Sequence, residues 1–274
     1  MTAAERHDDP RRTRPGTPMI GDYSINQMDD FYAALGVGQV KASGIMNLMQ
    51  RLIIAGHCHP GDKVVDACCG GGLQLPVLYR YRPDLGSYLG LDISPANLRG
   101  AVLRQQQLDA HYGPQFPIKF LTTDVSQPWG VGADIDVVVY TSALEHLPYP
   151  AGLASLGQAA NALSPDGRLL LSTPITPEGA PLQYRVHVHE WPREQLLAAL
   201  DEVGLAVMDE IGILPPPTHV IEQALSDRFG GGAAELYQQL SDRVPDQLLG
   251  PVIATVLGES STENLYVCVR KDRS

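Results

Sequence analysis

Short apolar runs recur along the chain at 63–67, 87–92, 117–122, 135–141 and 167–173, each followed by a longer, partly amphipathic stretch. Four to eight consecutive apolar residues bounded by turn signals fit strands buried on both faces. Their alternation with helix-length stretches predicts parallel βαβ units and a doubly wound α/β sheet. A helix from Arg193 to Val203, introduced by Trp191-Pro192, leads through Gly204 into a sixth run, Leu205 to Ile211. A last run, Leu265 to Val269, lies near the C-terminus. Upstream, Met28, Phe31, Tyr32 and Leu35, then Ile45, Leu48, Met49, Leu52 and Ile53, recur at three- and four-residue spacing on either side of Gly36-Val37-Gly38. That spacing predicts an N-terminal helical cap over 19–60, closed by the turn Pro60-Gly61-Asp62.

The pattern divides the chain into five parts. Residues 1–18, rich in Arg, Asp, Thr and Pro, read as a disordered lead-in, and 61–211 as the main α/β domain. Residues 212–262 hold Pro215-Pro216-Pro217, Gly230-Gly231-Gly232 and helical spacing at Leu236, Leu240, Leu248 and Leu249. A segment of that length is too long for a tight connection and reads as a helical lid insertion. Residues 263–274 carry the last strand.

Composition narrows the function classes. With 44% hydrophobic and 19% charged residues among 274, the chain is an ordinary globule rather than a disordered one. Twenty Lys+Arg against thirty-one Asp+Glu give a formal charge of −11, so no basic field points to a nucleic-acid partner. No apolar run approaches the ~20 residues of a membrane span, and no signal-peptide core is visible, so the expected compartment is the cytoplasm. Cys58, Cys68, Cys69 and Cys268 fit neither a zinc framework nor a disulfide scaffold.

Chemistry concentrates where these strands end. The first strand runs into Asp66-Ala67-Cys68-Cys69-Gly70-Gly71-Gly72. Glycines directly after a strand permit positive φ and let a ligand approach the backbone. A phosphate-cradling loop would need a Lys and a Ser/Thr that are missing here. The second strand ends at Asp92, placed to accept hydrogen bonds from a ribose diol, and the third at Asp124. Each acid alone could merely cap the following helix; three on successive strands point to a nucleoside.

These residues resemble the class I S-adenosylmethionine-dependent methyltransferases, whose glycine motif has the form D-x-G-C-G-x-G. Asp66, Gly70 and Gly72 match, and Cys68 stands in place of the first glycine. The resemblance spans roughly 60–211. It implies S-adenosylmethionine as cofactor, with ribose binding by Asp92, adenine binding by Asp124 with Val125 beside the ring, and Asp66, Cys68, Gly70, Gly72, Ile93 and Thr141 among the cofactor-binding residues. It also implies an antiparallel closing hairpin, which makes Leu265 to Val269 the seventh strand of a mostly parallel sheet.

Glu145, His146, His187 and His189 are the candidates for acid–base work on the acceptor. Leu144-Glu145-His146-Leu147 and His187-Val188-His189-Glu190-Trp191 are similar to the metal pattern E-x-x-E-H followed by H-x-x-E-W of small-RNA 2′-O-methyltransferases. Ser142 replaces the first glutamate, which weakens a Mg²⁺ site, and the remaining set suits Zn²⁺ or Fe²⁺ better. The expectation is therefore no resident metal, with Glu145 and His146 as a helix start. Strand-like alternation would put His187 and His189 on one face. Tyr23 and Tyr184 either line the pocket or, in the more ordinary role, pack in the core; His57-Cys58-His59 reads as a solvated turn. The expected function is methylation of a small-molecule oxygen or nitrogen, as in specialised-metabolite tailoring. The rivals are another use of S-adenosylmethionine, such as cyclisation or aminocarboxypropyl transfer, and a non-catalytic binding module. A homodimer is open.

Overall fold

The computed structural model describes residues 42–271. The lead-in, the first half of the expected helical cap and Tyr23 lie outside that range. Helix α1 (Ala42–Gly56) precedes β1 (Lys63–Ala67), α2 (Leu75–Tyr81), β2 (Ser87–Asp92), α3 (Pro95–Tyr112), β3 (Ile118–Thr122) and β4 (Ile135–Thr141). Then come a 3₁₀ turn at Leu144–His146, α4 (Tyr149–Ala162), β5 (Leu163–Pro174), α5 (Arg193–Glu202) and β6 (Leu205–Leu214). Helices α6 (Thr218–Phe229), α7 (Gly231–Ser241) and α8 (Asp246–Ala254) fill the insertion before β7 (Glu263–Arg270).

The seven strands lie in the order β3-β2-β1-β4-β5-β7-β6, with β7 antiparallel to both neighbours. All seven expected strands are present. The sixth runs three residues further than expected, because Gly212 and Leu214 continue to pair with Asn264 and Glu263.

Side-chain alternation divides the core. Val65, Ala67, Val138 and Tyr140 pack with Leu156, Leu196, Leu200 and Trp191 from the α4–α5 side. Val64, Val137 and Val139 pack with Ile54, Leu75 and Leu78 from α1 and α2 on the opposite side. Parallel strands covered on both faces must be apolar at every position, which is why these runs show no polar alternation. The strand order reverses between β1 and β4, and the crevice at the carboxyl ends of these two strands is where such sheets bind ligands.

The insertion has its own small core of Ile221, Leu225, Tyr237, Leu249 and Leu257. It docks chiefly on β6 and, through α8, on α1. The contact with β6 is close: a Cβ added at Gly212 would lie 2.1 Å from the Ala254 carbonyl oxygen and 2.1 Å from Ser261 Oγ. Gly212→Ala is therefore expected to lower stability by roughly 3 kcal/mol, a drop of ~9 °C in Tm for a chain of this size. Thermal unfolding followed by circular dichroism checks this. Among the described residues, no helix is long and apolar enough to cross a membrane.

Candidate active site

The loop after β1 is held open by its neighbours. Cys68 takes φ 59° and Gly70 φ 54°, while Cys69 N–H donates to the Leu91 carbonyl at 2.9 Å. Cys68 and Ser142, the latter at φ 49°, are the two non-glycine residues with positive φ among the described residues. They follow β1 and β4, the two strands flanking the crevice. A Cβ built on Gly70 or Gly71 meets nothing within 4 Å, so free space lies over this stretch of backbone. Gly72 is different: its Cβ would press on Leu75 and Ala101 at 3.1 and 3.2 Å, so this glycine serves helix packing.

Asp92 ties the loop to the second strand. Its Oδ2 accepts from Gly70 N–H at 2.9 Å, and its Oδ1 from Ser94 N–H at 2.8 Å and Asn97 Nδ2 at 3.2 Å. Ser94 in turn caps α3 by accepting from Asn97 N–H. The capping and ligand readings of this acid thus hold together. Of about four lone pairs on a carboxylate, three are engaged within the chain and one remains for a ligand hydroxyl. Ile93 beside it is 68% exposed. Asp124 is exposed, and its Oδ1 accepts from the N–H and hydroxyl of Ser126. Val125 is buried and Thr141 half-buried.

Asp66 lies in β1, just before that loop. It is buried, and Tyr88 Oη donates to its Oδ2 at 2.6 Å. Burial pushes its carboxyl up to about 7, against the pull of Tyr88 and Arg51. Burial likewise pushes the Cys68 thiol up to about 12, helped by the charges of Asp92, Asp66, Glu145 and Asp124. Those four carboxylates surround one loop.

Beyond β4, the structure brings Glu145, His146 and His187 together: one donor atom from each lies within 4.8 Å of the others. The histidine rings meet edge to face with centroids 5.1 Å apart. His187 Nδ1 sits 2.5 Å from Glu190 Oε1, and His146 Nδ1 3.2 Å from the Val186 carbonyl. Glu145 is buried, accepts from Thr173 Oγ1 at 3.2 Å, and is shifted upward mainly by burial. Glu190 collects the Thr176 hydroxyl, Gln183 N–H, Tyr184 N–H and His187. Burial would raise its pKa, yet these bonds outweigh burial and hold it below the usual carboxylate range.

His189 is not part of this group. The segment 184–190 is irregular, with a turn at 185–186 and no strand, so strand alternation does not put His187 and His189 on one face. His189 Nε2 meets Gln195 Oε1 at 3.0 Å, and its ring packs on Trp191 and Tyr149. Tyr184, expected to pack in the core, is instead half-exposed, and its ring stands 5.1 Å from that of His187, beside the cluster. In 57–59, Cys58 is wholly buried, while the exposed His59 lies 3.0 Å from an Arg168 nitrogen.

Three contributors came from segments that motif spacing does not connect. Glu263, first residue of β7, is bonded by the hydroxyls of Ser142 and Ser172, and burial together with Glu145 pushes it up to about 7. Gln50 of α1 donates to Ser172 Oγ. Tyr88 supports Asp66 from a neighbouring strand. The signal for Glu263 was the lone acid opening the last apolar run.

A family model described as a methyltransferase domain matches residues 42–210. Among curated protein sequences, none matches the chain. Among solved structures, the small RNA methyltransferase HEN1 is similar at 16% identity and TM-score 0.57, over 83% of this chain and 26% of that one. The [4+2]-cyclase SpnF is similar at 14% identity and TM-score 0.55, over 82% of this chain and 80% of that one. The 1,6-didemethyltoxoflavin-N1-methyltransferase of Burkholderia thailandensis, solved with 1,6-didemethyltoxoflavin and S-adenosylhomocysteine, is similar at 17% identity and TM-score 0.52, over 89% and 86%. At such identities the likeness is one of fold.

Proposed function

This chain belongs to the methyltransferase-domain family, enzymes of the class I Rossmann-like fold that use S-adenosylmethionine, and we propose that it methylates an oxygen or nitrogen of a small molecule. The observation that carries this reading is the Glu145–His146–His187 group, set beyond the same crevice as the open Gly70–Gly71 backbone. Free space over that backbone and the unused lone pair of Asp92 fit an adenosine with its ribose at the second strand.

The bound cofactor supplies an electrophilic methyl on a sulfonium. This chain's residues then have two tasks, orientation and proton management. Asp92 holds the ribose and fixes the Gly70 loop with one carboxylate. Ile93 and Val125 flank the adenine, and Asp124 lies at its edge. The acceptor faces Glu145, His146 and His187, which take up the proton that an oxygen or nitrogen sheds as it gains a methyl. Glu190, by holding His187 Nδ1, directs that ring's second nitrogen into the group. The acidic chain, with formal charge −11, favours a small acceptor over a nucleic acid. Helix α1, reaching Ser172 through Gln50 and backed by α8, forms the cap over the acceptor, and the insertion braces that cap. The cytoplasm is the compartment this reading assigns.

Calorimetric titration with S-adenosylmethionine, then incubation of enzyme and cofactor with a metabolite extract, tests the proposal. A product heavier by one methyl group, with S-adenosylhomocysteine formed in step, is the expected outcome. Methylthioadenosine as the sole cofactor product would overturn it in favour of a carbon-chain transfer or cyclisation, and absence of binding would end it.

A further inference from the structure

We infer that the exposed apolar side chains of the segment 182–188 bind the hydrocarbon body of the acceptor, so that the substrate is an apolar molecule, aromatic or aliphatic, carrying its oxygen or nitrogen at one end. The inference rests on the acceptor reading above and names the class of molecule it serves.

Leu182, Tyr184, Val186 and Val188 are 45 to 71% exposed, four large apolar side chains within seven residues. Two of the side chains between them hold the segment in place. Gln183 Nε2 donates to the Ile175 carbonyl at 2.9 Å and to Thr176 Oγ1 at 3.1 Å, and His187 Nδ1 meets the Glu190 carboxylate. The backbone is pinned as well, since Tyr184 N–H donates to Glu190 and Val188 N–H to the Glu145 carbonyl at 2.8 Å. A segment fixed by these bonds cannot fold its apolar side chains under cover. Apolar groups clustered and held out in this way mark a binding surface.

The acceptor is the occupant because this surface is continuous with the proton-accepting group. Val186 supplies the carbonyl that meets His146 Nδ1 at 3.2 Å, and the Tyr184 ring stands 5.1 Å from that of His187. The imidazoles stay free for the proton, since their neighbours make the apolar contact. Leu182 and Val188 line, with Pro177 and Pro192, a cavity of about 390 Å³ that also borders Thr176 and Glu190. Small-molecule pockets run from about 300 to 1,000 Å³, so the space suits a compact ring system or a short chain. A sugar or an amino acid would leave the four side chains in water and gain nothing from them. A second protein fits less well: stable interfaces take about 20–30 residues a side, and the segment is far shorter.

The test uses N-phenyl-1-naphthylamine, a neutral dye whose emission rises in apolar surroundings, on the full chain saturated with S-adenosylhomocysteine. Saturable binding is expected, weakened about 10-fold by Val186→Ser and about 10-fold more when Leu182→Ser and Val188→Ser are added. Affinity for S-adenosylmethionine should stay within ~3-fold in every variant, which also shows that the variants fold. The methylated product of the extract assay should partition into octanol and displace the dye. Dye affinity untouched by the substitutions, no saturable dye binding, or methylated products confined to the aqueous phase would overturn the inference and leave methyl transfer standing. Loss of dye binding together with a fall from dimer to monomer in light scattering would give the surface to a second copy of the chain, and overturn it too. Failure of the wild type to bind S-adenosylmethionine would instead sink the methyl-transfer reading, whatever the dye does.

Discussion

Asp92→Ala is expected to weaken S-adenosylmethionine binding by ~100- to 1000-fold while the chain remains folded. The substitution removes the carboxylate that reaches Gly70, Ser94 and Asn97 at once. Bonds to an ionised acceptor contribute roughly 1.5–3 kcal/mol each. Loss of one such bond to the ribose accounts for about 10- to 100-fold, and release of the Gly70 loop adds the remainder. Asp92→Asn is the sharper variant. An amide keeps the shape but has one accepting oxygen, so its nitrogen must face an N–H donor from either Gly70 or Ser94. It should therefore also bind weakly, despite near-perfect isostery. Titration calorimetry of both variants, with circular dichroism as the control for folding, decides the matter. Affinity within ~5-fold of the wild type for both would remove Asp92 from the site.

The second large effect belongs to Glu190, which lies outside the proposed cofactor contacts. Removing its side chain leaves a hydroxyl, two backbone N–H groups and the His187 ring without their shared acceptor. Each buried polar group left unpaired costs about 1–3 kcal/mol, so the 175–191 segment should lose its fixed shape. For Glu190→Ala we expect turnover to fall by ~100-fold or more, with affinity for S-adenosylmethionine changed less than ~3-fold. Glu190→Gln, with one accepting oxygen, should fall between. Hydrogen exchange supplies a readout independent of any acceptor: amides of Gln183 and Tyr184 should exchange much faster in the alanine variant. Unchanged exchange there would show that the network is not what orders the segment.

The sheet was legible because buried parallel strands admit apolar residues at every position, and β1 and β4 obey that rule in Val64, Val65 and Val137 to Tyr140. The proposed cofactor end, with Asp92 bonded to the Gly70 loop, could be picked out because both residues stand at the ends of strands that are themselves legible. The proposed acceptor end was legible only in part. Glu145, His146 and His187 stood out by residue type, but which of the two histidines in 187–189 joins them depends on a turn fixed by Glu190. Local spacing at 187–189 resembles a strand and carries no trace of that network. Glu263 and Gln50 were hidden for another reason. They reach the site through the antiparallel return of β7 and the packing of α1, as tertiary contacts between residues 91 to 122 positions apart that no spacing rule encodes. The insertion showed its helices through leucine spacing, yet the partner surface it covers, the β6 edge, depends on a bare glycine at 212 whose use only the packing reveals.

Cys68 sits in a backbone conformation that a side chain disfavours by about 1 kcal/mol, so the bend there is imposed by its surroundings rather than chosen by the residue. The neighbouring Gly70 amide is already clamped. A loop shaped in this way has little freedom left to surrender when a guest arrives. The entropy of ordering was expended during folding, and encounter with the nucleoside should proceed by simple docking, with no slow rearrangement to limit its rate.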